Sequence, residues 1–303
     1  MTGPIRLSEE VADALADRRP VVALETSVLA QGLPVPRNRE AAGAMVGVIR
    51  TTGAVPAWIA VDAGQVRVGL TDKDIARLVV PGRAAKVARR DLPVVVASRG
   101  LGATTVSAAL WAAHRAGIGV LVTGGIGGVH HGSRDVSADL LELAATPALV
   151  VCSGPKSIVD PVATIERLDE LGVPVVGYRC DRLPFFVVKE VDVPLEHRVD
   201  TPREAAAVAL ALRRLDVRSS VVLCNPVQEG LALDRDVVAG VVRACEEQAV
   251  SRGVRGKDVT PFLLSCLAER TGGESLQANL TLLESNAGLA AEVAAALASG
   301  ARS

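Results

Sequence analysis

The stretch that decides the fold spans residues 148–178 and reads ALVVCSGPKSIVDPVATIERLDELGVPVVGY. It opens on the apolar run ALVVCS at 148–153 and closes on a second run, PVVGY, at 174–178. Residues 162–171, between them, have the apolar spacing of an amphipathic helix. Both runs are continuously apolar, as in strands that are buried on both faces of a sheet. The stretch therefore predicts a strand–helix–strand unit inside a layered α/β fold.

The same alternation continues through the whole chain. Asp62, Ala63 and Gly64 stand between two apolar runs and predict a hairpin, so the sheet is expected to be mixed. The class predicted is α/β: a single three-layer α/β/α domain over residues 1–303, with a mostly parallel, mixed central sheet. Further strands are predicted at 21–25 (VVALE), 57–61 (AWIAV), 66–70 (VRVGL), 93–98 (PVVVAS), 118–123 (IGVLVT) and 220–225 (SVVLCN). Further helices are predicted at 38–51 (capped by Asn38), 72–79 (opened by a Thr71–Asp74 capping box), 104–116, 138–145, 202–214, 235–251, 260–270 and 275–298.

Composition and charge limit the function classes. The chain has 303 residues, a formal charge of −1 and only 2% aromatic residues. Such a chain offers neither a basic face nor many rings to stack on bases, so nucleic-acid binding is not expected. The N-terminus is charged, and the apolar runs are interrupted before they reach the length of a membrane span. We therefore expect a soluble, cytoplasmic protein that does not bind a membrane.

The cysteines are widely spaced and form no CxxC pair. In a cytosolic protein such residues are normally reduced thiols, and that is the state expected here. The five are Cys152, Cys180, Cys224, Cys245 and Cys266.

Polar residues at strand ends are the candidates for function, because ligands of open α/β sheets gather at the carboxyl ends of the strands. Glu25 ends the run VVALE. It is either a solvated carboxylate or a proton donor whose pKa is raised by lost hydration. Lys86 begins a group of cations with Arg89 and Arg90, which is either a solvated turn or an anion site. The following segment 100–106, GLGATTV, predicts a helix start whose free N–H groups suit phosphate.

Residues 122–140, VTGGIGGVHHGSRDVSADL, carry the densest group of candidates. The glycines allow backbone N–H groups to approach a ligand, but His130 stands where a dinucleotide fingerprint needs its third glycine. Asp135 and Asp139 are four residues apart, and on one helix face their oxygens would suit Mg²⁺ or Mn²⁺. They are equally typical of carboxylates at a helix start. His130 and His131 remain open as metal ligands, phosphate donors or loop residues.

Lys156 follows a buried run in the stretch CSGPKS. A P-loop is excluded, because Pro155 directly precedes the lysine and the motif's glycines are missing. Two interpretations remain: an exposed lysine at a helix start, or an amine nucleophile. A cation is disfavoured at a helix N-terminus. An amine next to apolar surface and helix N–H dipoles has a lowered pKa and can form a Schiff base with a carbonyl carbon.

Taken together, nine motifs resemble pseudouridine-5′-phosphate glycosidase from about residue 7 to residue 298. The resemblance implies a single α/β/α domain, one Mn²⁺ per subunit, a homotrimer, and reversible cleavage of the carbon–carbon glycosidic bond of pseudouridine 5′-phosphate to uracil and ribose 5-phosphate. The motifs are VVALETSVLAQGLPVPRN, KVARRDLPVVVA, GATTV, TGGIGGVHHG, DVSADL, CSGPKSIVD, GVPVVGY, TPFLL and TGGESLQAN.

The same resemblance implies roles for individual residues. Glu25 matches the family's proton donor, Lys156 its nucleophile and Asp135 its metal ligand. The substrate contacts that it implies are Lys86, Val106, Ser137, Ala138, Asp139 and Asn279. The chain departs from many members at Gln31, where they have His, and in the order Thr26–Ser27.

A C-glycoside needs its own chemistry, because the leaving carbon C5 must be protonated and the two-carboxylate scheme of ordinary glycosidases does not transfer simply. The reaction therefore requires one neutral lysine to hold C1′, one acid near C5, and fixed charge around the phosphate. Three alternatives are a Schiff-base sugar-phosphate lyase or aldolase, an N-glycosidase for a related nucleotide, and a sugar-phosphate sensor without turnover.

Overall fold

The computed structural model describes residues 4–132 and 135–300. Within these ranges eleven strands form one sheet. The strands are β1 (Ile5–Leu7), β2 (Val21–Glu25), β3 (Val55–Asp62), β4 (Gln65–Val68), β5 (Ala85–Val87), β6 (Gly102–Thr104), β7 (Val120–Val122), β8 (Leu149–Cys152), β9 (Val175–Tyr178), β10 (His197–Val199) and β11 (Val221–Cys224).

The helices connect these strands, and several begin with a side-chain cap. Ser137 accepts the N–H of Asp139 where α6 begins, and Thr201 forms a capping box with Glu204 at the start of α8. The helices are α1 (Glu9–Ala16), α2 (Arg37–Thr51), α3 (Asp72–Leu78), α4 (Leu92–Ala97), α5 (Val106–Arg115), α6 (Ala138–Ala145), α7 (Pro161–Glu170), α8 (Pro202–Arg214), α9 (Arg235–Ser251), α10 (Val259–Arg270) and α11 (Glu274–Gly300).

The sheet is mixed and mostly parallel. Its order is β1-β4-β3-β2-β7-β8-β11-β9-β10, with β6 paired to β3 and β5 paired to β6. Only β3 with β4 and β3 with β6 are antiparallel among the pairs of the described chain. The hairpin predicted at 62–64 is the β3–β4 connection. Parallel neighbours β2, β7 and β8 bring three carboxyl ends to one edge, where the polar residues of interest follow.

Two sets of helices cover the sheet. Helix α11 packs against α2 and α8 and lies over β7 and β8, while α5 packs against α6 and lies over β2 and β3. Every residue of β2, β7, β8 and β11 is buried. The predicted α/β/α architecture is confirmed.

The segment 93–98, predicted as a strand, is helical. Helix α4 spans Leu92–Ala97, with Pro93 in its first turn, where proline is well tolerated. Asp91 accepts the N–H of Ala88 and fixes the entry to this helix. Val94 is 67% exposed, so the helix lies at the surface. A short apolar run without periodicity does not distinguish a strand from a helix, which explains the wrong prediction.

Two helix starts also differ from prediction. Helix α2 begins at Arg37 after Pro36, so Asn38 lies inside the helix rather than capping it. The Asn38 side chain is buried and donates to the carbonyl of Leu29. Helix α5 begins at Val106, because Gly102–Thr104 form strand β6 first. The capping box of Thr71 with Asp74 is confirmed at the start of α3.

The expectation that all five cysteines are reduced is wrong for two of them. Cys245 in α9 and Cys266 in α10 form a disulfide, with their Cα atoms 5.9 Å apart. The two residues are separated by 21 positions, and only the packing of α9 against α10 brings them together. Spacing alone does not reveal such a pair. Cys152, Cys180 and Cys224 are free thiols.

Helix α11 has the length and apolarity of a membrane span, with a mean hydropathy of 1.2 over its most apolar window. More than half of that window is buried inside the protein. It packs on α2, α8 and the sheet. The helix is therefore accounted for as a core helix of the fold.

Candidate active site

A cleft of about 950 Å³ opens at the carboxyl ends of β2, β7 and β8. All nine residues to which the resemblance gives a role line it, although they come from strands, loops and helices spread over some 250 positions of the chain. They are Glu25, Lys86, Val106, Asp135, Ser137, Ala138, Asp139, Lys156 and Asn279.

The floor of the cleft continues the pairing of β7 with β8 beyond the two strands. Ser153 donates its N–H to the carbonyl of Gly124 at 2.8 Å, and Ile126 donates to Gly154 at 3.1 Å. Lys156 then donates its backbone N–H to Ile126 at 2.9 Å. The lysine is therefore held on an extended, hydrogen-bonded segment and does not start a helix. This arrangement removes the interpretation of Lys156 as a helix-start lysine.

Gly154 is required for this turn. Its φ of +75° lies in the left-handed region, which side chains of L-residues rarely adopt. A Cβ at this position would stand 1.9 Å from the carbonyl oxygen of Pro184. The close approach of the segment around Pro184 thus depends on a glycine two residues before Lys156.

The side chain of Lys156 points back toward the strand ends. Its Nζ donates to the carbonyl oxygen of Gly125 and is partly buried. Gly125 in turn leaves no room for a side chain, because a Cβ there would meet Phe186 at 2.9 Å and Lys156 Cγ at 3.3 Å. The amine is thus held at the wall of the cleft by a carbonyl partner.

Glu25 stands at the end of β2 and is 3% exposed. Its Oε2 accepts from Ser27 Oγ at 2.8 Å and from the Val28 N–H at 3.0 Å, and Thr123 Oγ1 donates to Oε1 at 3.3 Å. Burial raises the pKa of the carboxyl above its ordinary value, and the charge of Lys156 and these hydrogen bonds only partly oppose the rise. A carboxyl in this setting keeps its proton nearer neutrality.

Asp139 links the glycine-rich segment to α5. Its Oδ1 accepts the N–H of Ser107, and its Oδ2 accepts the N–H of Gly127, both at 3.0 Å. A Cβ on Gly127 would clash with Ser137 Oγ at 2.3 Å, so this close approach also requires glycine. Because the N–H of Ser107 is taken by a carboxylate, part of the helix start expected to hold phosphate is already occupied.

Lys86 approaches the cleft from β5. Its Nζ donates to the carbonyl of Lys257 at 3.3 Å, and Lys257 Nζ returns a bond to the carbonyl of Lys86 at 3.2 Å. Lys257 also pairs with Asp91 at 2.7 Å. Burial, followed by the nearby charge of Lys156, lowers the pKa of Lys86 below its ordinary value. Lys86 and Lys257 thus both line the cleft, and Asp91 holds the second of them by an ion pair.

Asp135 is the candidate metal ligand in this cleft. Its backbone carbonyl accepts the N–H of His130 at 3.0 Å. Within residues 4–132 and 135–300, no three His, Cys, Asp or Glu side chains group closely enough to hold a metal ion. A single carboxylate fits a hard divalent ion that keeps water and substrate oxygens as its other ligands, not a closed site of the zinc type. Ser133 and Arg134 of the glycine-rich segment 122–140 lie outside the described residues.

Asn279 faces the cleft from α11 and is 7% exposed. Its Oδ1 is buried without a hydrogen-bond partner among the described residues. Sequence reasoning from strand ends missed this residue, which the resemblance alone indicated. It also missed Thr123, Phe186 and Lys257, which line the same cleft. Thr123 is the one with a usable signal, because it is the polar residue that ends the predicted strand 118–123.

The α/β/α fold brings a lysine amine and a buried carboxyl together in one cleft at the strand ends, which is the arrangement of an enzyme active site. The family model described as "Indigoidine synthase A like protein" matches residues 10–296. The chain belongs to this family, within the group of pseudouridine-5′-phosphate glycosidases, and the resemblance drawn from the motifs is confirmed.

Relatives of that name match nearly the whole chain. Pseudouridine-5′-phosphate glycosidase of Herpetosiphon aurantiacus is 48% identical over 294 residues, which are 96% of this chain and 97% of the relative. The one from Methylobacterium nodulans is 46% identical over 297 residues, 97% of this chain and 88% of the relative.

Two solved structures share the fold. The prealnumycin C-glycosynthase AlnA, in complex with ribulose 5-phosphate, has a TM-score of 0.91 and 40% identity, with 100% of this chain and 99% of that chain covered. An indigoidine synthase A-like protein from Thermotoga maritima has a TM-score of 0.90 and 36% identity, with 97% of this chain and 96% of that chain covered.

Proposed function

We propose that the protein cleaves the carbon–carbon glycosidic bond of pseudouridine 5′-phosphate, reversibly, to uracil and ribose 5-phosphate, as a step in nucleotide catabolism. The observation that carries the proposal is the shared cleft of Lys156 and Glu25. The two groups extend from the ends of β8 and β2, and the charge of Lys156 is the largest influence that opposes the raised pKa of Glu25. A nucleophile and a protonated acid thus act on one substrate.

The bond changes balance with water as the only co-reactant. The unprotonated form of the Lys156 amine attacks C1′ of the ribose, O4′ leaves C1′, and the ring opens as O4′ takes the proton that the nitrogen gives up. The uracil C5 is then protonated and keeps the electron pair of the C1′–C5 bond, while the lysine nitrogen forms the C1′=N iminium. Water hydrolyses the iminium, which releases ribose 5-phosphate and restores the amine.

Glu25 is proposed as the acid that protonates C5. Burial raises the pKa of this carboxyl, so it keeps its proton to a higher pH than an exposed glutamate does. Ser27 and Thr123 hold both carboxyl oxygens in place. Asp139 is proposed to relay protons or to orient sugar hydroxyls. Its two oxygens accept the backbone N–H groups of Ser107 and Gly127, which fixes the carboxylate in the cleft.

The substrate phosphate is proposed to lie at the mouth of the cleft, near Lys86. Lys86 and Lys257 both line the cleft, and the Nζ of Lys86 lies 3.3 Å from the backbone carbonyl of Lys257. The remaining substrate contacts are proposed at Val106, Ser137, Ala138 and Asn279, all of which line the cleft. Unphosphorylated pseudouridine is therefore expected to be a much poorer substrate, and equal cleavage of both would contradict this assignment.

One Mn²⁺ per subunit is proposed, held by the carboxylate of Asp135. When bound, it would organise water and substrate oxygens around the sugar and supply positive charge there. The support is the position of Asp135 in the cleft and the hard oxygen donor that it offers.

A homotrimer in the cytoplasm is also proposed, on the strength of the family. Light scattering on the purified protein measures the subunit number.

Disulfides are rare in cytosolic proteins. Titration of thiols in freshly prepared extract therefore tests both the compartment and the Cys245–Cys266 bond.

The direct test of function is uracil release from pseudouridine 5′-phosphate, with and without Mn²⁺, by wild type and by Lys156→Ala. The proposal expects metal-stimulated release by wild type and none above background by the variant. Carbon-chain cleavage of the sugar phosphate without uracil release would instead identify a lyase or aldolase. Binding without turnover would identify a sensor.

A further inference from the structure

A buried amide lies behind the turn that carries Lys156, and none of the roles above includes it. Asn286, in α11, is 0% exposed. It follows Asn279 by seven residues, so the two side chains project from the same face of the helix, two turns apart. Asn279 reaches the cleft, and Asn286 reaches the backbone that forms the cleft floor.

The Asn286 carboxamide joins two strand ends. Its Nδ2 donates to the carbonyl of Thr123 at 3.0 Å, with Gly124 O at 3.4 Å, and to Ser153 Oγ at 3.1 Å. Its Oδ1 accepts from Asn225 Nδ2 at 2.9 Å. One side chain therefore bridges the residue after β7 to the residue after β8, and a second asparagine fixes its orientation.

These two strand ends carry the partners of the catalytic groups. Thr123 uses its hydroxyl to bond Glu25, while its carbonyl receives Asn286. Ser153 lies three residues before Lys156 and pairs with Gly124 through its backbone N–H at 2.8 Å. A displacement at Asn286 therefore reaches the acid through Thr123 and the amine through Ser153.

An apolar residue would fill this core position without the cost of desolvating an amide. An asparagine instead offers two donors and an acceptor in one plane, which match the two strand ends and Asn225. Removal of the Asn286 side chain would leave buried carbonyl and hydroxyl groups without hydrogen-bond partners. The strand ends that carry these groups would then shift to find new partners.

We propose that Asn286 is a positioning residue, whose carboxamide keeps the ends of β7 and β8, and with them Glu25 and Lys156, at a fixed separation during the reaction. The inference rests on the proposed function, because it assumes that these two groups act together. It extends that function by assigning a role to a residue that does not contact the substrate.

The test compares Asn286→Ala with two serine variants that form a matched pair. Ser153 and Ser220 are both 0% exposed, and each donates one side-chain hydrogen bond. Ser153→Ala weakens the Asn286 bridge. Ser220→Ala removes a bond of 2.5 Å to Thr146 O at the opposite, amino end of β11. For each variant we would measure kcat and KM for uracil release, the rate of borohydride trapping at Lys156 with ribose 5-phosphate, and stability in urea.

A misplacement of about 1 Å can cost about 100-fold in rate, so Asn286→Ala is expected to lower kcat by at least about 10-fold. The rate of trapping should fall in parallel, while KM changes by less than about 3-fold. A fall in kcat at nearly constant KM is the pattern expected when an interaction that acts in the transition state is lost. Ser153→Ala should show a smaller fall in kcat, and Ser220→Ala should stay within about 2-fold of wild type despite a similar loss of stability.

A folded Asn286→Ala protein with kcat and trapping within about 2-fold of wild type would overturn the proposal. An equal loss of kcat in both serine variants would also overturn it, because general destabilisation would then explain the effect. If Asn286→Ala does not fold, the serine pair decides. If wild type gives no adduct on Lys156, the Schiff base of the proposed function fails, and the positioning role is judged from kcat of uracil release alone.

Discussion

At the scale of single residues, Glu25 shows how the fold prepares a side chain for chemistry. Burial raises its pKa, whereas Lys156, Ser27 and Val28 lower it, and burial prevails. A glutamate at the rim of an apolar strand predicted this direction from sequence. Its hydroxyl partner Thr123 was outside that prediction, because the pairing of β2 with β7 is a long-range contact.

Replacement of Glu25 by glutamine should separate activity from stability. Uracil release is expected to fall by about 100-fold or more, because the proton donor is lost. A raised native pKa means that the folded protein binds the proton more tightly than the unfolded chain, so wild-type stability falls as pH rises through the native pKa. Glu25→Gln should therefore gain stability over wild type above that pKa, and the gain should vanish below the ordinary glutamate pKa. Urea unfolding across pH measures this difference; a gain that grows on acidification would contradict it.

Gly154 offers a second test at this scale. Alanine there would carry a left-handed φ and also meet Pro184 O, so a loss of about 1–3 kcal/mol in unfolding free energy is expected, with a large loss of activity. Gly172 is the matched control, because its φ is +67° and nothing lies within 4 Å of an added Cβ. Gly172→Ala should cost about 1–2 kcal/mol and leave turnover unchanged. Equal activity of the two variants would refute the role of the Gly154 turn.

At the scale of elements, continuous apolar runs predicted the central strands well, because burial on both faces leaves no other sequence pattern. Helices α6, α8 and α9 were predicted within one residue at each end, and α8 has its capping box. The run 93–98 was misassigned, since helix α4 is too short to show a period.

The candidate site was predictable to the extent that its residues follow strands. Glu25 ends one buried run, Lys156 stands three residues after another, and the glycine-rich 122–140 segment begins at the end of a third. Val106 and Asn279 were indicated only by the family resemblance. Asn286 gave no signal, because a polar residue in an apolar helix reveals its role only when the backbone that it bonds is known.

The disulfide between α9 and α10 gives a prediction for these elements. A disulfide that closes a loop of this size contributes about 3 kcal/mol of stability. Reductant should therefore lower the unfolding free energy of wild type by about that amount. Cys245→Ser should show the same loss without reductant and no further loss with it. Cys180→Ser, which removes a free thiol, should still respond to reductant as wild type does. Stability that is independent of reductant in wild type would show that the bond is absent.

At the scale of the whole molecule, one sheet gathers distant segments at a single edge. Strand β2 supplies the acid, β8 the amine and β5 a cation, while α11 reaches the same cleft from the far end of the chain. The order of strands, with β7 between β2 and β8, sets the spacing between acid and amine. The chemistry proposed here is thus a consequence of topology as much as of residue type.

Metal dependence is the prediction at this scale. Removal of divalent ions by a chelator should lower uracil release by wild type, and Mn²⁺ should restore it. Asp135→Asn should weaken Mn²⁺ binding by at least about 10-fold, measured by calorimetry or electron paramagnetic resonance, because a neutral amide replaces the anionic oxygen donor. Asp160→Asn, at the cap of α7 outside the cleft, is the control and should bind Mn²⁺ as wild type does. Unchanged affinity in Asp135→Asn would remove the metal assignment.

The most direct test of the central claim is borohydride reduction of the protein in the presence of ribose 5-phosphate, followed by peptide mass mapping. We expect one sugar-phosphate adduct per chain, located on Lys156, and none in Lys156→Ala. Loss of the adduct in Lys156→Ala, with Lys86 still in the cleft, would show that the reaction is specific to one amine. Absence of an adduct in wild type, or its location on Lys86 or Lys257, would contradict the assignment of Lys156 as the nucleophile.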